Sequence, residues 1–198
     1  RRVGEVIEEY WDYCDIPLIV GNIATWEGFD FVVNKTPKHL RNRLAAEVGI
    51  GGGSLCTTRI QTGYGIPTFQ SVLDIQEYRY RLCPEVQIVA DGGIKNSGDI
   101  VKSIAAGADV VMLGSLLAGT DETPGKLIEE TQTVVNRGMG TYSEVKTGKK
   151  HKIYAGMASK EGRKFNGWFS EEDAAYIPEG ESTTVSYKGP VKNILDNL

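Results

Sequence analysis

A glycine-rich loop that ends in a cysteine is the part of this sequence best suited to chemistry. It reads GIGGGSLCTTR, from Gly49 to Arg59. Consecutive glycines reach backbone conformations closed to other residues, so such a loop can turn several N–H or C=O groups toward one ion or ligand. The loop matches neither the G-x-G-x-x-G fingerprint nor the P-loop, because no Gly-Lys-Ser/Thr follows it. It is a candidate ligand loop of another type.

The cysteine of this loop, Cys56, is a candidate nucleophile if it stands on the functional face of a sheet. A lone cysteine is more often a buried structural residue, so the residues by themselves leave both interpretations open. Cys14 and Cys83 flank helix-like segments, and we interpret both as structural. Three cysteines without C-x-x-C spacing argue against a disulfide framework or a zinc site and favour a reducing cytoplasm.

Strand-like and helical patterns alternate along the chain. The predicted strands are the apolar runs IPLIVGN, VQIVADGG and ADVVMLGS. The predicted helices are Val3–Tyr13, Thr25 to about Asn34, Phe69–Leu82 and Ser97–Ala106, the last with Ser97 as its cap. Unbroken apolar strands separated by helices are typical of a parallel sheet buried on both faces.

Polar and glycine residues that could bind a ligand follow directly after these strands. The carboxyl ends of the strands carry the functional site both in a (β/α)8 barrel and in a doubly wound sheet. Periodicity therefore does not choose between these two folds. The residues at these strand ends are Asn22, Asp91, Gly92, Gly93, Gly114 and Ser115.

From about Thr131 the sequence is rich in glycine, charge and short β-prone pieces. A long irregular segment attached to an α/β domain is often an active-site lid or flap. The alternative is a disordered tail, which the aromatic content of the segment disfavours. We predict a division into residues 1–130, which belong to the α/β domain, and 131–198, which hold a flap and the start of a last helix.

Bulk composition excludes several classes of function. The chain has 198 residues, of which 40% are hydrophobic and 24% charged, and a net charge of -4. That charge disfavours nucleic acid as a partner, which would select a basic surface. No apolar run approaches the roughly 20 residues of a membrane span, and no secretory signal follows Arg1. We expect a cytoplasmic protein with no membrane and no nucleic-acid partner, and, because Met is not the first residue, a piece of a longer chain.

Three stretches, taken together and in this order, resemble the IMP dehydrogenase/GMP reductase family: GIGGGSLCTTR, IVADGGIKNSGDIVKSIAAGADVVMLGSLLAGTDETPG and YAGMAS. The resemblance implies a (β/α)8 barrel of which about the C-terminal half is present. It also implies a cysteine thiolate that attacks C2 of a purine nucleotide such as GMP or IMP, with NADPH or NAD as cofactor. A potassium ion and a homotetramer are further expectations from the family.

Roles are carried over from the family to individual residues. Cys56 resembles the nucleophile, and Thr58 resembles the neighbour that helps to activate water or ammonia. The implied phosphate contacts are Ser54, Gly93, Gly114, Ser115 and Tyr154. Asp91, beside Gly92, matches the aspartate that binds the ribose hydroxyls. The implied purine contacts are Gly156, Met157 and Asn22, and the implied potassium ligands are the carbonyl groups of Gly51, Gly53 and Cys56.

The two activities of the family differ in the flap. Where a dehydrogenase carries Arg-Tyr-Phe as its hydrolytic base, this chain reads Gly167-Trp168-Phe169. Glu179 resembles the reductase glutamate of the ammonia step, although bacterial dehydrogenases often have glutamate there too. A missing base removes hydrolysis and leaves reduction intact, so the resemblance favours GMP reductase. The alternatives are an IMP dehydrogenase and a non-catalytic nucleotide-binding fragment.

One stretch departs from the family pattern. KTPKHLRNRLAAEVGIGG is a helix-like basic segment that leads to Glu47, where the family has a cation. We expect this carboxylate to weaken nucleotide binding or to disturb its strand. The strands that would come first in the barrel are also absent from the sequence.

Overall fold

The computed structural model describes residues 2–136, 141–167 and 180–198. Trp168, Phe169 and Glu179, on which part of the flap interpretation depends, lie outside the described residues. The chain divides into two compact units, Arg1–Gly114 and Ser115–Leu198. None of the helices in the described ranges is both long and apolar enough to span a membrane.

The first unit alternates helices and strands. Its elements are α1 (Arg2–Tyr13), β1 (Leu18–Ile23), α2 (Trp26–Asn34), a 3-10 helix (Lys38–Arg43), β2 (Leu44–Val48), α3 (Thr58–Thr62), α4 (Thr68–Leu82), β3 (Gln87–Asp91), α5 (Ser97–Ala105) and β4 (Val110–Met112). The predicted strands and the four predicted helices are all present, within a few residues of their expected bounds. β2 lies within the segment that had a helix-like pattern.

The four strands form one parallel sheet in the order β1-β2-β3-β4. Strand order that follows chain order is that of a (β/α)8 barrel, whereas a doubly wound sheet reverses direction at a switch point. The observed order is the one expected for consecutive strands of such a barrel. It also places the carboxyl ends of all four strands at one edge.

One face of the sheet packs on the helices. Leu44 and Ile88 from the strands, and Phe29 and Ile75 from α2 and α4, are at most 1% exposed and share one apolar cluster. The opposite face, which the sequence predicts to be buried as well, is open among the described residues of this unit. Its side chains include Ile19, Val110 and Met112, which are 56%, 48% and 40% exposed.

Glu47 does not interrupt its strand. It is paired with Gly21 of β1 and with Val89 of β3, and β2 stays in parallel register with β3 throughout. The one irregularity, between Gly21 and Ile23, lies on β1. β2 itself is therefore continuous at Glu47, and the irregularity next to the Gly21–Glu47 pair belongs to β1.

The second unit is an antiparallel sheet in the order β5-β6-β7 with two short helices. The flap segment is thus ordered over its described residues. The predicted boundary at residue 130 falls inside β5 and stays a prediction about domains. The elements are β5 (Leu127–Asn136), β6 (Thr141–Ala155), α6 (Lys160–Phe165), β7 (Ser182–Ser186) and α7 (Lys192–Leu195).

A buried lysine fixes the base of this sheet. Lys152 is only 6% exposed. Its ammonium group donates to the backbone carbonyls of Thr120, Asp121 and Thr123 at 2.8, 3.0 and 2.7 Å. Three charge-assisted hydrogen bonds compensate for the loss of hydration. They hold the turn before β5 against β6.

The cap of α5 is Asn96, one residue before the predicted Ser97. The Asn96 side chain accepts a hydrogen bond from the Asp99 N–H at 3.0 Å, and its backbone is extended, as a cap requires. Ser97 is the first helical residue and is exposed.

We expect Asn96→Ala to lower the free energy of unfolding by about 1 kcal/mol, because an orphan N–H of the first turn loses its acceptor. Ser97→Ala is the matched control and should change it by less than about 0.5 kcal/mol. Chemical denaturation of both variants measures the difference. Equal losses in the two variants would contradict the assignment of the cap.

Candidate active site

The ends of three strands are in direct contact at the carboxyl edge of the first unit. The N–H of Gly49, just after β2, donates to the carbonyl of Ile23 on β1 at 2.9 Å. The Thr68 hydroxyl at the start of α4 donates to the carbonyl of Asp91 on β3 at 3.2 Å. These bonds fix where the glycine loop begins.

Glycine is required where the loop leaves β2. A Cβ atom on Gly49, whose φ is +147°, would lie 1.9 Å from the Asp91 carbonyl oxygen. Gly92, with φ +92°, likewise approaches the loop, and a Cβ there would lie 2.9 Å from the carbonyl carbon of Gly52. The two glycine segments, one after β2 and one after β3, therefore touch backbone to backbone.

Arg59 braces the far side of the loop. Its Nη2 donates to the Ile66 carbonyl at 3.0 Å. Its aliphatic stem fills the space that side chains on Gly51 and Gly65 would occupy. An added Cβ on Gly51 would lie 2.8 Å from the nearest Arg59 atom, and one on Gly65 would lie 2.5 Å away. The loop keeps its shape because the arginine stem packs on bare backbone.

Cys56 ends the loop with its thiol beside a hydroxyl. Its Sγ donates a hydrogen bond to Thr58 Oγ1, with the two atoms 3.1 Å apart, and the residue is half-buried. The Cys56 N–H closes a turn onto the Gly53 carbonyl at 3.2 Å. Thr57, between them, is 8% exposed, and its hydroxyl has no hydrogen-bond partner among the described residues. The structure thus places the predicted nucleophile and its predicted neighbour in direct contact.

Asp91 stands among polar side chains from the two neighbouring strands. Asn22 Nδ2 donates to Asp91 Oδ2 at 2.8 Å and approaches Glu47 Oε1 at 3.4 Å. Partial burial raises the pKa of Glu47, and the charge of Asp91 and a hydrogen bond between the two carboxyl groups raise it further. The three side chains come from β1, β2 and β3 in turn.

A cavity of about 450 Å³ opens behind the glycine loop, on the side of α4 and α5. Gly51, Gly52, Gly92 and Gly93 contribute to its wall, with Arg59, Thr68 and the Asp99–Lys102 ion pair. Between this cavity and the side of the loop that carries Cys56, the two glycine segments therefore contribute backbone without side chains.

The structure thus brings one group of predicted site residues together within the first unit. In direct contact are Asn22 with Asp91, Cys56 with Thr58, and Gly92 with the glycine loop that holds Gly51, Gly53 and Ser54. Gly93 continues the segment after β3. Gly114, which follows β4, is the last residue of this unit.

The remaining site residues belong to the second unit. Tyr154 lies on β6 opposite Thr183, and the Gly156 N–H donates to the Glu181 carbonyl at 3.0 Å. Met157 is 69% exposed. The Ser115 carbonyl accepts from Lys188 Nζ at 3.1 Å. Glu179 is outside the described residues.

Three residues of the site have no counterpart among the sequence-based candidates: Thr68, Arg59 and Thr57. Thr68 ties α4 to the end of β3, and Arg59 shapes the loop. Thr57 and Arg59 belong to the loop GIGGGSLCTTR, so their closeness to Cys56 in the sequence could have marked them as site residues. Nothing in the sequence marks Thr68, because its partner is a backbone carbonyl on a strand that comes later in the chain.

The cation site expected at the carbonyl groups of the glycine loop stays a prediction. A backbone carbonyl has two lone pairs, so Gly53 can bind a cation while it accepts from Cys56 N–H. Gly51, Gly53 and Cys56 would hold such an ion through carbonyl oxygens. In the described ranges, no cluster of three or more His, Cys, Asp and Glu side chains is placed to bind a metal ion.

Comparison with known proteins decides the family. The model of the IMP dehydrogenase/GMP reductase domain matches residues 1–198. The chain belongs to the IMP dehydrogenase/GMP reductase family. It is 40% identical to the inosine-5'-monophosphate dehydrogenase of Methanocaldococcus jannaschii, with 100% of this chain and 38% of the relative covered. With the Bacillus subtilis enzyme of the same name it shares 37% identity, over 94% of this chain and 34% of the relative.

A solved structure of the same family agrees with the fold. It is a cysteine-to-alanine variant of GMP reductase from Trypanosoma brucei, crystallised in complex with guanosine 5'-monophosphate. The TM-score is 0.75 at 32% identity, and the match covers 98% of this chain and 35% of that chain. The chain thus spans about a third of the length of the IMP dehydrogenase/GMP reductase family members it matches. The expected fold, part of a (β/α)8 barrel, is confirmed.

We expect Gly49→Ala to displace the glycine loop and to lower the free energy of unfolding by more than about 2 kcal/mol, since both the steric clash and the positive φ oppose a side chain. Gly63→Ala is the matched control: its φ is +73° and a Cβ there meets nothing within 4 Å. It should cost only the strain of a left-handed residue, about 1 kcal/mol. Chemical denaturation compares the two, and equal costs would show that the contact with Asp91 does not constrain the loop.

Proposed function

We propose that this chain carries the catalytic loop of an oxidoreductase that acts on a purine nucleoside monophosphate, with Cys56 as the nucleophile. The observation that carries the proposal is the 3.1 Å contact between the Cys56 thiol and the Thr58 hydroxyl at the carboxyl edge of the sheet. Support comes from the relatives, which are named as dehydrogenases of inosine monophosphate or as a reductase bound to guanosine monophosphate.

Cys56 and Thr58 act on the reacting carbon in this proposal. The Thr58 hydroxyl accepts the thiol proton in a hydrogen bond, and it donates a hydrogen bond to the sulfur once the thiolate has formed. The thiolate attacks C2 of the purine and forms a C–S bond. Thr58, next to that carbon, also assists the water or ammonia that enters or leaves there.

Asp91 and the glycine segments bind the rest of the nucleotide. A carboxylate has about four acceptor positions, and Asn22 uses one of those on Asp91, so others remain for the ribose hydroxyls. Gly93 and Gly114 can offer N–H groups to the 5′-phosphate because no side chain shields their backbone, and Ser54 adds a hydroxyl. For Ser115, Tyr154, Gly156 and Met157 of the second unit, the phosphate and purine contacts stay predictions from the family.

The direction that we favour is reduction of GMP. The C–S bond forms as the C2 amino group leaves as ammonia, which carries away the thiol proton. Hydride would then add to C2, and the cysteine would leave as the thiolate with IMP as product. NADPH, the nicotinamide cofactor that we propose, supplies this hydride when bound. The sequence Gly167-Trp168 in place of Arg-Tyr supports this direction, because hydrolysis of the adduct would lack its guanidinium base. Glu179 is the proposed partner of Thr58 in release of ammonia.

The second candidate is the IMP dehydrogenase reaction, which the identity of 40% and 37% to two enzymes of that name supports. There the hydride leaves C2 of IMP for NAD, and water hydrolyses the adduct to XMP. For either reaction we propose potassium at the loop carbonyls, a homotetramer as the assembly and a cytoplasmic location, as the family resemblance implies.

The nucleophile is tested by Cys56→Ser in the intact protein. Turnover should fall below a few per cent of the wild-type value, whereas the Kd for GMP should stay within about tenfold, because phosphate and ribose contacts are separate from the thiol. Steady-state kinetics and calorimetric titration measure the two quantities. Cys83→Ser, at a buried cysteine that lies in the helix-packed core, controls for loss of a thiol elsewhere. Turnover by the Cys56 variant at more than a few per cent would exclude the covalent mechanism.

The direction of the reaction is tested by supplying both substrate pairs to the intact protein. GMP with NADPH should give steady turnover and one ammonia for each NADPH consumed. IMP with NAD should give at most a burst of NADH, because general-base assistance is worth about 10² to 10⁴ in rate. Steady NADH production without ammonia from GMP would establish the dehydrogenase instead. Silence with both pairs, together with GMP binding, would establish a non-catalytic nucleotide-binding protein.

A further inference from the structure

Glu47 occupies an unusual place for a carboxylate. It lies on the middle of three adjacent strands, between Gly21 on β1 and Val89 on β3, and it is half-buried. A Cβ on Gly21 would lie 2.4 Å from the Glu47 Cβ, so the bare backbone of β1 makes room for this side chain. The carboxyl group then reaches Asp91, which the proposed function assigns to the ribose.

No cation from the neighbouring strands offsets this pair of carboxyl groups. β1 reads LIVGNI and β3 reads QIVAD, and neither contains lysine, arginine or histidine. β1 contributes the uncharged amide of Asn22, and β3 contributes Asp91, which is the charged group that acts on Glu47. α2 and α4 pack on the other face of the sheet. Glu47 and Asp91 share a hydrogen bond, and it costs free energy for two carboxyl groups in contact to be ionised at the same time.

One proton therefore suffices to satisfy the cluster. With Glu47 neutral, its O–H can donate to Asp91 while Asn22 Nδ2 donates to Oδ2 of the same carboxylate at 2.8 Å. The Asp91 carboxylate then keeps its orientation and about two free acceptor positions. With Glu47 ionised, that donor is lost and a second negative charge faces the ligand.

We propose that Glu47 is a positioning residue for Asp91: in its protonated form it joins Asn22 in holding the Asp91 carboxylate ready for the ribose hydroxyls, and its ionisation weakens nucleotide binding. This inference rests on the proposed function, because it needs Asp91 to contact the nucleotide. It assigns a role to the one residue whose charge is opposite to that of the family resemblance. It also sets the direction of a pH dependence.

The sign of that dependence follows from linkage. The pKa of Glu47 is raised in the folded protein, so the native state keeps a proton that the unfolded state has already released. The contribution of Glu47 to stability is thus largest at low pH and falls as the pH rises through its folded-state pKa. Nucleotide affinity falls over the same range, because both effects follow ionisation of one group.

The test compares Glu47→Gln with the wild type in the intact protein. Glutamine has nearly the same shape, donates a hydrogen bond and cannot ionise. The Kd for GMP and for IMP is measured by calorimetry from the most acidic pH at which the protein stays folded up to about pH 8, so that the series runs through the raised pKa of Glu47. The ligand phosphate also titrates near pH 6, but it does so equally with both proteins, so the ratio of the two Kd values isolates Glu47.

The wild-type Kd should equal that of Glu47→Gln at the low end and exceed it about tenfold at the high end, since a neighbouring like charge is worth roughly one pKa unit or more. Glu47→Ala should bind several-fold more weakly than Glu47→Gln at every pH, because it lacks the donor. Glu77→Gln is the matched control: it removes one exposed carboxylate from α4, and its ratio should stay near one.

A ratio that does not change with pH, or equal binding by the Ala and Gln variants, would overturn the role of Glu47 and leave the proposed function intact. Absence of GMP and IMP binding by the wild type at every pH would overturn the proposed function, and the positioning role with it. Titration of the Glu47 carboxyl by carbon-13 NMR gives a reading without ligand. Its pKa should fall in Asp91→Asn, and an unchanged pKa would contradict the coupling of the two groups.

Discussion

Among the glycines in the described part of the first unit, Gly49 leaves the least room for a side chain, because the residue that follows β2 lies against the last residue of β3. Gly49 lies so near the Asp91 carbonyl that no side chain can be accommodated, and Gly92 repeats this constraint one step further on. Because the two segments touch, the loop that ends in Cys56 has its origin fixed against the strand that supplies Asp91. The Cys56 loop and Asp91, the predicted nucleophile and the predicted ribose ligand, thus share one point of support.

Everything else at this edge adds to that contact. The Thr68 hydroxyl donates a hydrogen bond to the Asp91 carbonyl, the same group that Gly49 approaches. Arg59 fills the space under the loop with its stem, and the turn from Cys56 to Gly53 closes the loop. A loop that begins with four glycines among five residues is normally costly in conformational entropy. Here that cost is offset by hydrogen bonds and packing at both of its ends.

The sequence predicted most of the elements, and the reasons are local. The pattern begins the second helix at Thr25, and the structure makes Thr25 the N-cap of α2, one residue before the helix starts. The structure places the cap of α5 at Asn96, one residue before the predicted Ser97. Both residue types are good caps, and only the backbone conformation distinguishes them. The choice between barrel and doubly wound sheet depends on strand order, which is a long-range property that periodicity does not contain.

The site was predictable where one short motif holds it and not where separate strands build it. Cys56 and Thr58 are two residues apart, so their contact could be expected from the loop alone. Asn22 contacts Glu47 and Asp91, which lie 25 and 69 positions further along the chain. The same Glu47 that departs from the family pattern in sequence proved compatible with its strand, because the space it needs is provided by Gly21 on the neighbouring strand.

The second unit has two kinds of electrostatic support, which respond differently to salt. The exposed pair Lys146–Glu129 on the β5–β6 hairpin is open to counterions, and at about 0.1 M salt its interaction is screened over a distance of roughly 10 Å. The Lys152 ammonium is instead solvated by three carbonyl dipoles inside the protein, where ions do not penetrate. Rising ionic strength therefore loosens the outer part of the hairpin and leaves its base in place.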